Sequence, residues 1–442
     1  MQQSTNTNGG RFMSGIKRKL IELEENNRNI NVAIVGAGLM GKGMVSQMMF
    51  VKGMKPALVI SNKISDAVEA YTLAGISKDD IVIAKNLKDI NTAMERNKYV
   101  ACDDSDIAAK ANLIDVVVDA TGVPNAGAKI AMDSIENGKH IIMLNIEADV
   151  VVGPILNKMA KKAGVVYSGT AGDEPGAVKE IFDFAEATGF EVLAIGKGKN
   201  NPMDHDATPD TVREQAEKSK LKPLRLASFV DGTNTMVEMA AMANATGFIP
   251  DVPGGHGPTA RVEDLPKIYS LKEEGGILNK YKIVDYAHGI APGVFVIVTT
   301  SSPQVHHEMR FLKMGDGPNY VLYRPYHLTS LETPISIARA YFYNEPTIAP
   351  IFDKPVAEVV AVAKKDLKKG ERLDGIGEYT ILGKIFTYEE AKEKNLVPVG
   401  LINNKAVVTR DIKKGQLITY DMVDLDRSTE IYKLREIQEK GE

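Results

Sequence analysis

A single cysteine, Cys102, in a chain of 442 residues excludes an intrachain disulfide and every metal site that needs several thiolates. Cys102 itself reads as a spare, partly buried thiol, and the chain as one for a reducing compartment. No apolar stretch approaches the roughly 18 to 20 uninterrupted residues of a membrane helix, and the run at Val294–Val298 is short and follows Pro292-Gly293. The first residues, MQQSTNTNGGRF, lack the basic, apolar and small-residue succession of a secretory leader, so a polar tail and a cytoplasmic protein are expected. Charge of one sign is missing too. Lys and Arg number 54 against 58 Asp and Glu, a net charge of -4, so no general field attracts nucleic acid or an anionic membrane, and an anionic ligand must be met locally.

What is present is 44% hydrophobic residues, enough for packed cores, over a length that corresponds to about two to four domains. After a charged helical segment near Ile16–Glu25, apolar β-rich runs recur at Ile30–Val35, Ala57–Ile60, Ile114–Gly122, His140–Asn145 and Gly164–Gly169. Helical stretches separate them, with helices expected at Pro124–Asn137 and Pro154–Lys162. This alternation predicts an α/β fold that begins with a doubly wound parallel sheet. Val100–Asp103 suggests a further short strand, whereas the polar stretch Lys85–Asn112 shows no clear pattern. From Gly172 strands and helices mix as in an α+β domain, with helix starts read at Thr208-Pro209 and Asp264. From Asp353 a β-rich module is expected, carrying the internal repeat DLKKGERL (from Asp366) and DIKKGQLI (from Asp411). The expected organisation is an N-terminal extension (1–28), a dinucleotide-binding domain (29–171), a catalytic and oligomerising domain (172–352), a small β module (353–427) and a charged helix or tail (428–442).

Gly36, Gly38 and Gly41 form GxGxxG directly after a strand and at the start of a helix. The first glycine permits the tight turn, the second lets a pyrophosphate approach the backbone together with Leu39 and Met40, and the third allows helix and strand to pack closely. The next strand ends in Ser61, Asn62 and Lys63, with no carboxylate before Asp66. A hydroxyl, an amide and an ammonium suit a ribose 2′-phosphate better than a 2′-hydroxyl, which favours NADP over NAD, although Lys63 also reads as a solvated loop charge. Thr121 and Gly122, ending another strand of that sheet, are expected beside the nicotinamide half.

A second constellation is GKGKNNP, in which Lys197, Lys199, Asn200 and Asn201 follow the strand Glu191–Ile195 and form a candidate cradle for a phosphate or developing oxyanion. Glu147, Asp149, Asp173, Glu174 and Asp231 flank it, and Glu174 with Asp231 are candidate ligands for a divalent ion such as magnesium or manganese. Among seven histidines, His306-His307 read as surface or packing groups, while His256 and His327 lie in Gly/Pro/aromatic loops that suit a site. Arg324 reads either as a phosphate ligand or as the partner of an acid.

On GAGLMGKG, DATGVP, MLNIEADVVVGP, GTAGDEPGA, GKGKNNP, DGTNT, VPGGHGP, YRPYHLTSLETPISIARA and the DIKKGQLI repeat, the chain resembles the homoserine dehydrogenase-like oxidoreductases that carry a C-terminal SAF module. The nearest subgroup is the deoxyxylulose phosphate reductoisomerase-like enzymes. The resemblance implies a Rossmann domain, a catalytic α+β domain and a SAF module in a homodimer or higher homo-oligomer. It also implies NADPH-dependent, metal-assisted chemistry on a small, phosphorylated hydroxy-carbonyl substrate, with Glu174 or Asp231 on the metal and Lys197 or Lys199 on phosphate or alkoxide. The residues leave open a plain dehydrogenase of a hydroxy acid or sugar acid, and a non-catalytic nucleotide- or carbohydrate-binding protein.

Overall fold

The computed structural model describes residues 15–441, so the expected polar tail before Gly15 lies outside the described residues. Seven strands, β1 (Ile30–Val35), β2 (Met54–Ile60), β3 (Ile81–Ile83), β4 (Tyr99–Cys102), β5 (Val116–Asp119), β6 (His140–Met143) and β7 (Tyr167–Gly169), form one sheet in the order β3-β4-β2-β1-β5-β6-β7. Every pairing in it is parallel. Most of these strands are short runs without polar alternation because helices cover both faces. The helices here are α1 (Gly15–Glu25), α2 (Leu39–Met48), α3 (Ile64–Leu73), α4 (Leu87–Glu95), α5 (Pro124–Glu136) and α6 (Ile146–Ala163). The unpatterned stretch Lys85–Asn112 holds α4 and β4; Asn86 starts the helix by accepting a hydrogen bond from the Asp89 N–H. Because β2 lies on one side of β1 and β5 on the other, the strand order reverses at the carboxyl end of β1, where open α/β sheets place their ligands.

Helix α6 differs from expectation: it starts at Ile146 rather than Pro154, with Asn145 as its cap. Pro154 therefore stands inside a helix, where the missing N–H and the ring cost about 3 kcal/mol. The C-terminal helix α15 (Glu430–Lys440) docks on this turn. The Gln438 amide accepts from Ile155 N–H (3.1 Å) and donates to Val151 O (3.1 Å), and Arg435 Nη1 also donates to Val151 O (3.0 Å). The charged terminal segment thus buries Ile431, Leu434, Arg435 and Gln438 and repairs the neighbourhood of the proline.

The second sheet has the order β12-β11-β8-β10-β9, from β8 (Glu191–Lys199), β9 (Ile249–Pro250), β10 (Ile283–His288), β11 (Val294–Thr299) and β12 (Tyr320–Arg324). Helices α7 (Glu174–Ala187) and α10 (Thr233–Thr246) pack on one of its faces. This part also holds α8 (Arg213–Lys218), α9 (Pro223–Val230), α11 (Leu265–Ile268) and α12 (Pro303–Phe311), whereas α13 (Thr333–Tyr343) returns to the first sheet and buries Ile337, Ala338 and Ala340 in the core around β1 and α2. Thr208-Pro209 does not start a helix: Thr208 and Thr211 close a turn on each other, and α8 begins at Arg213. Asp264 precedes α11, but its carboxylate makes no cap and pairs with Arg261.

The C-terminal β-rich part holds the hairpin β13 (Ala357–Ala363) and β14 (Ile381–Thr387), the helix α14 (Tyr388–Glu393), and the pair β15 (Val407–Val408) and β16 (Val423–Asp424). Its repeat copies grip each other reciprocally. Asp411 accepts from Lys369 N–H and pairs with Lys368, while Asp366 accepts from Lys414 N–H and pairs with Lys413.

Candidate active site

At the end of β1 the chain turns through Gly36 at φ +110°, and a Cβ there would fall 2.6 Å from Ala120 O. A Cβ on Gly41 would fall 1.9 Å from Gly36 O, so only glycine lets α2 approach the turn. Gly38 has open space where its Cβ would be, and α2 begins immediately after it with no acid in its first turn. Open space over Gly38, backed by free amides at a helix N-terminus, fits the pyrophosphate of a dinucleotide. Leu39 is exposed, while Met40 Sδ lies 3.4 Å from Thr329 Oγ1, in the segment just before α13. Ser61, Asn62 and Lys63 follow β2, and Lys63, exposed at the start of α3, has no carboxylate within salt-bridge distance among the described residues.

At the end of β5, Asn145 Nδ2 contacts Asp119 Oδ2 (2.9 Å), Val123 O (2.9 Å) and Thr121 Oγ1 (3.2 Å), fixing the Thr121-Gly122 turn. Arg225 from α9 reaches across and ion-pairs with Glu147 in the first turn of α6. A Cβ on Gly122 (φ +63°) would fall 1.9 Å from Arg225 Nη2, so the guanidinium lies directly on that turn.

Strand β8 is longer than expected and takes in both lysines, which therefore do not belong to a turn. Alternation puts Lys197 and Lys199 on one face and Gly196 and Gly198 on the other. The glycines let Phe295 and Ala291 approach that other face closely. Lys197, 5% exposed, donates to Glu174 Oε1 (2.7 Å) at the start of α7 and to Glu238 of α10. Asn234 Nδ2 donates to the other oxygen of Glu238 (2.6 Å). Lys199, also 5% exposed, donates to Phe229 O (2.8 Å), and its neighbour in register on β10 is His288.

Asp173 stands at the N-cap of α7, yet its carboxylate makes no capping bond. One donor atom each from Asp173, Glu174 and His327 lies within 4.8 Å of the others. His327 Nδ1 faces Gly172 O at 3.3 Å and can only donate there, which turns Nε2 towards Glu174 Oε1 at 3.4 Å. Segment 327–332 continues to Thr329 and Ser330 against Met40, so one connection touches both the acid cluster and the glycine turn.

Electrostatics sort these groups. Burial works against charge on Lys197, but Glu174 and Glu238 outweigh it and hold the ammonium protonated. Burial likewise opposes ionisation of Glu174, yet Lys197 and His327 prevail and its carboxyl lies below the usual range. Glu238 and Asp173 go the other way, raised by burial and then by the Glu174 charge. Three carboxyls around one ammonium therefore retain a proton that separate acids would lose. Burial, followed by the Lys197 charge, lowers Lys199 to about 8.

Asp231 departs from its expected role. It is fully buried at the end of α9, accepts from Thr233 N–H (2.8 Å), and has Lys364 Nζ 2.7 Å from Oδ2. The pair Glu174 and Asp231 is thus replaced, as a set of donors, by Asp173, Glu174 and His327. Asn200 and Asn201 lie beyond the end of β8, outside the ion-paired cluster. Arg324 is taken by Glu332 (2.7 Å) and Glu180 (3.1 Å). Sequence reasoning missed Glu238, Asn234 and Arg225. The signal for Glu238 was a lone acid among Met and Ala in TNTMVEMAAMA, a helix buried nearly all round.

The family model described as "Homoserine dehydrogenase, NAD binding domain" matches residues 36–168, and that described as "Oxidoreductase DRL, catalytic domain" matches residues 172–333. None of the curated proteins compared matches the chain. Similar solved structures include a probable dehydrogenase from Thermotoga maritima, 14% identical over 73% of this chain and 90% of that one, with a TM-score of 0.40. Another is scyllo-inositol dehydrogenase from Lactobacillus casei, solved with NAD(H) and scyllo-inositol, 12% identical over 67% and 76% of the two chains, with a TM-score of 0.37. With a nicotinamide-dinucleotide-binding domain followed directly by an oxidoreductase catalytic domain, the chain is an NAD(P)-dependent oxidoreductase.

Proposed function

We propose that the protein uses NADPH to reduce a small, phosphorylated hydroxy-carbonyl compound, and that the reaction includes a metal-assisted rearrangement of the reductoisomerase kind. The observation that carries this reading is the cluster at the carboxyl end of β8 in which buried Lys197, Glu174 and Glu238 meet half-buried Asp173 and His327. When bound, the nicotinamide supplies hydride, and a divalent ion on Asp173, Glu174 and His327 supplies Lewis-acid polarisation of substrate oxygens. Two carboxylates with one imidazole suit manganese better than magnesium, which prefers oxygen donors alone. The His327 ring nitrogen facing a carboxylate oxygen is an arrangement that a cation between them would satisfy.

Lys197 fixes Glu174 and Glu238 and neutralises part of their charge, which leaves Lys199 as the lysine able to exchange a proton with a substrate oxygen. Arg225, at the junction with the dinucleotide half, is the cation placed to meet an anionic substrate group once it releases Glu147. Specificity for the 2′-phosphate is assigned to Lys63 with Ser61 and Asn62. The β module is read as a SAF module and the working form as a homodimer.

The test is NADPH oxidation by the purified protein with deoxyxylulose 5-phosphate and manganese, followed by nicotinamide absorbance. Substrate-dependent loss with a rearranged product supports the reading in full. Loss with an unrearranged product reduces it to a plain dehydrogenase, and no loss while NADPH still binds refutes this substrate.

A further inference from the structure

A cavity of about 380 Å³ lies between the catalytic part and the C-terminal β-rich part, and it abuts the lysine face of the sheet, since its lining residue Tyr286 is the register partner of Lys197. None of Asp173, Glu174, Lys197, Lys199, Glu238 or His327 lines it. It borders α10 through Gly232 and Met236, whereas Asn234 and Glu238 turn to Lys197. The apolar part of its wall is Met203, Met236 and Tyr286 from one side and Val362 and Leu382 from the other. This volume falls in the range of small-molecule pockets, which occur preferentially between domains.

Two polar groups in the lining lack strong partners. Among the described residues the Tyr286 hydroxyl has one hydrogen-bond partner, the Met203 thioether at 3.9 Å. Lys384, half-buried on β14, has its ammonium 6.0 Å from the centre of the Phe386 ring, and no carboxylate lies within salt-bridge distance of it among the described residues. Elsewhere in the lining charges cancel. Lys364 Nζ is 2.7 Å from Asp231 Oδ2 and donates to Ala207 O and Glu378 O, and at the rim Lys414 pairs with Asp206 (2.7 Å). Lys384 therefore sets the sign of the ligand, and the apolar walls set its body. The Asp206–Lys414 pair joins the two parts across the rim and, with both side chains more than half exposed, opens at small cost.

We propose that this cavity is a second ligand site for a small monocarboxylate with an aromatic or branched apolar body. The carboxylate pairs with Lys384 and accepts from the Tyr286 hydroxyl, and the body fills the space between Met236, Val362 and Leu382. The site is independent of the reductase reading and of the cofactor.

Phenylacetate serves as the probe and benzyl alcohol as its uncharged counterpart, each titrated into the full-length protein by saturation-transfer NMR and calorimetry. Phenylacetate should bind at millimolar concentration and benzyl alcohol about tenfold or more weakly. Lys384→Met, which keeps the stem and removes the charge, should abolish that preference, and Tyr286→Phe should weaken phenylacetate by a smaller factor. NADPH affinity should be unchanged in both variants, which shows that they fold, and saturating NADPH should not displace phenylacetate. Absence of phenylacetate binding to the wild type, equal binding to Lys384→Met, or displacement by NADPH would each overturn the proposal.

Discussion

Lys197 Nζ lies 2.7 Å from Glu174 Oε1, and this one ammonium ties the end of β8 to the start of α7 and, through Glu238, to α10. Two helices that pack on the sheet are thereby held in register at the place where their acids meet. Replacing it by Lys197→Met leaves buried carboxylates without their cation, a change that costs about 3 kcal/mol when one partner of a buried pair is lost. Denaturant unfolding should show that loss. Turnover should fall by about 10- to 100-fold, as when a group that positions metal-binding acids is lost, while NADPH affinity stays the same because the glycine turn lies in the other domain. Wild-type turnover in the variant would remove Lys197 from the site.

The two glycines that flank the start of α2 should fail in different ways. Gly38 has nothing where a Cβ would stand, so Gly38→Val should fold with near-wild-type stability and lose most of its NADPH affinity by calorimetry. Gly41→Ala would put a Cβ 1.9 Å from Gly36 O, so its first effect should be on the melting temperature. A stable Gly38→Val variant with unchanged affinity would mean that no pyrophosphate crosses this turn.

How much of this could be read beforehand depended on whether the signal was local. The parallel sheet was legible because β1, β2, β5 and β6 are apolar runs buried on both faces, and GxGxxG sits at one turn where each glycine has a steric reason. Strand β3, with only three residues and partial exposure, carries too little pattern to be seen. Helix α6 was cut at Pro154 because sequence alone does not reveal that Gln438, far along the chain, supports that turn. Lys197 and Glu174 were both visible as candidates, but their pairing joins strand to helix across 23 positions, and Glu238 entered only through tertiary packing. Asp231 resembled a metal ligand until Lys364, from the β-rich part, took its carboxylate.

In the proposed reading cofactor choice rests on Lys63, which is exposed just before α3 and pairs with no described carboxylate. Lys42, nearby in the fold, is already held by Glu69 at 2.7 Å and Asp66 at 3.8 Å and is the weaker candidate. Lys63→Ala should raise the NADPH dissociation constant about tenfold, equivalent to about 1.4 kcal/mol, and leave NADH nearly unaffected. Titrating both nucleotides into both proteins decides it; equal losses would assign Lys63 to general electrostatics.

Lys199 gives the pH dependence. Burial, and then the charge of Lys197, lowers it from 10.5 to about 8, so the ammonium is present below about pH 8 and the free amine above it. If Lys199 protonates the substrate oxygen during reduction, kcat should fall as pH rises through about 8, and the reverse oxidation should gain over the same interval. Lys199→Arg, charged throughout, should lose that limb of the profile even if its rate is low. Stability runs in the corresponding sense: the folded chain holds this proton less tightly than the unfolded chain does. The resulting cost is complete below pH 8 and is relieved between pH 8 and 10.5. Lys199→Met should therefore be more stable than the wild type at pH 7, by about 1 to 3 kcal/mol, and lose that advantage by pH 10.5. A variant that gains stability at neutral pH while losing turnover would place Lys199 where burial of a charge serves the reaction rather than the fold.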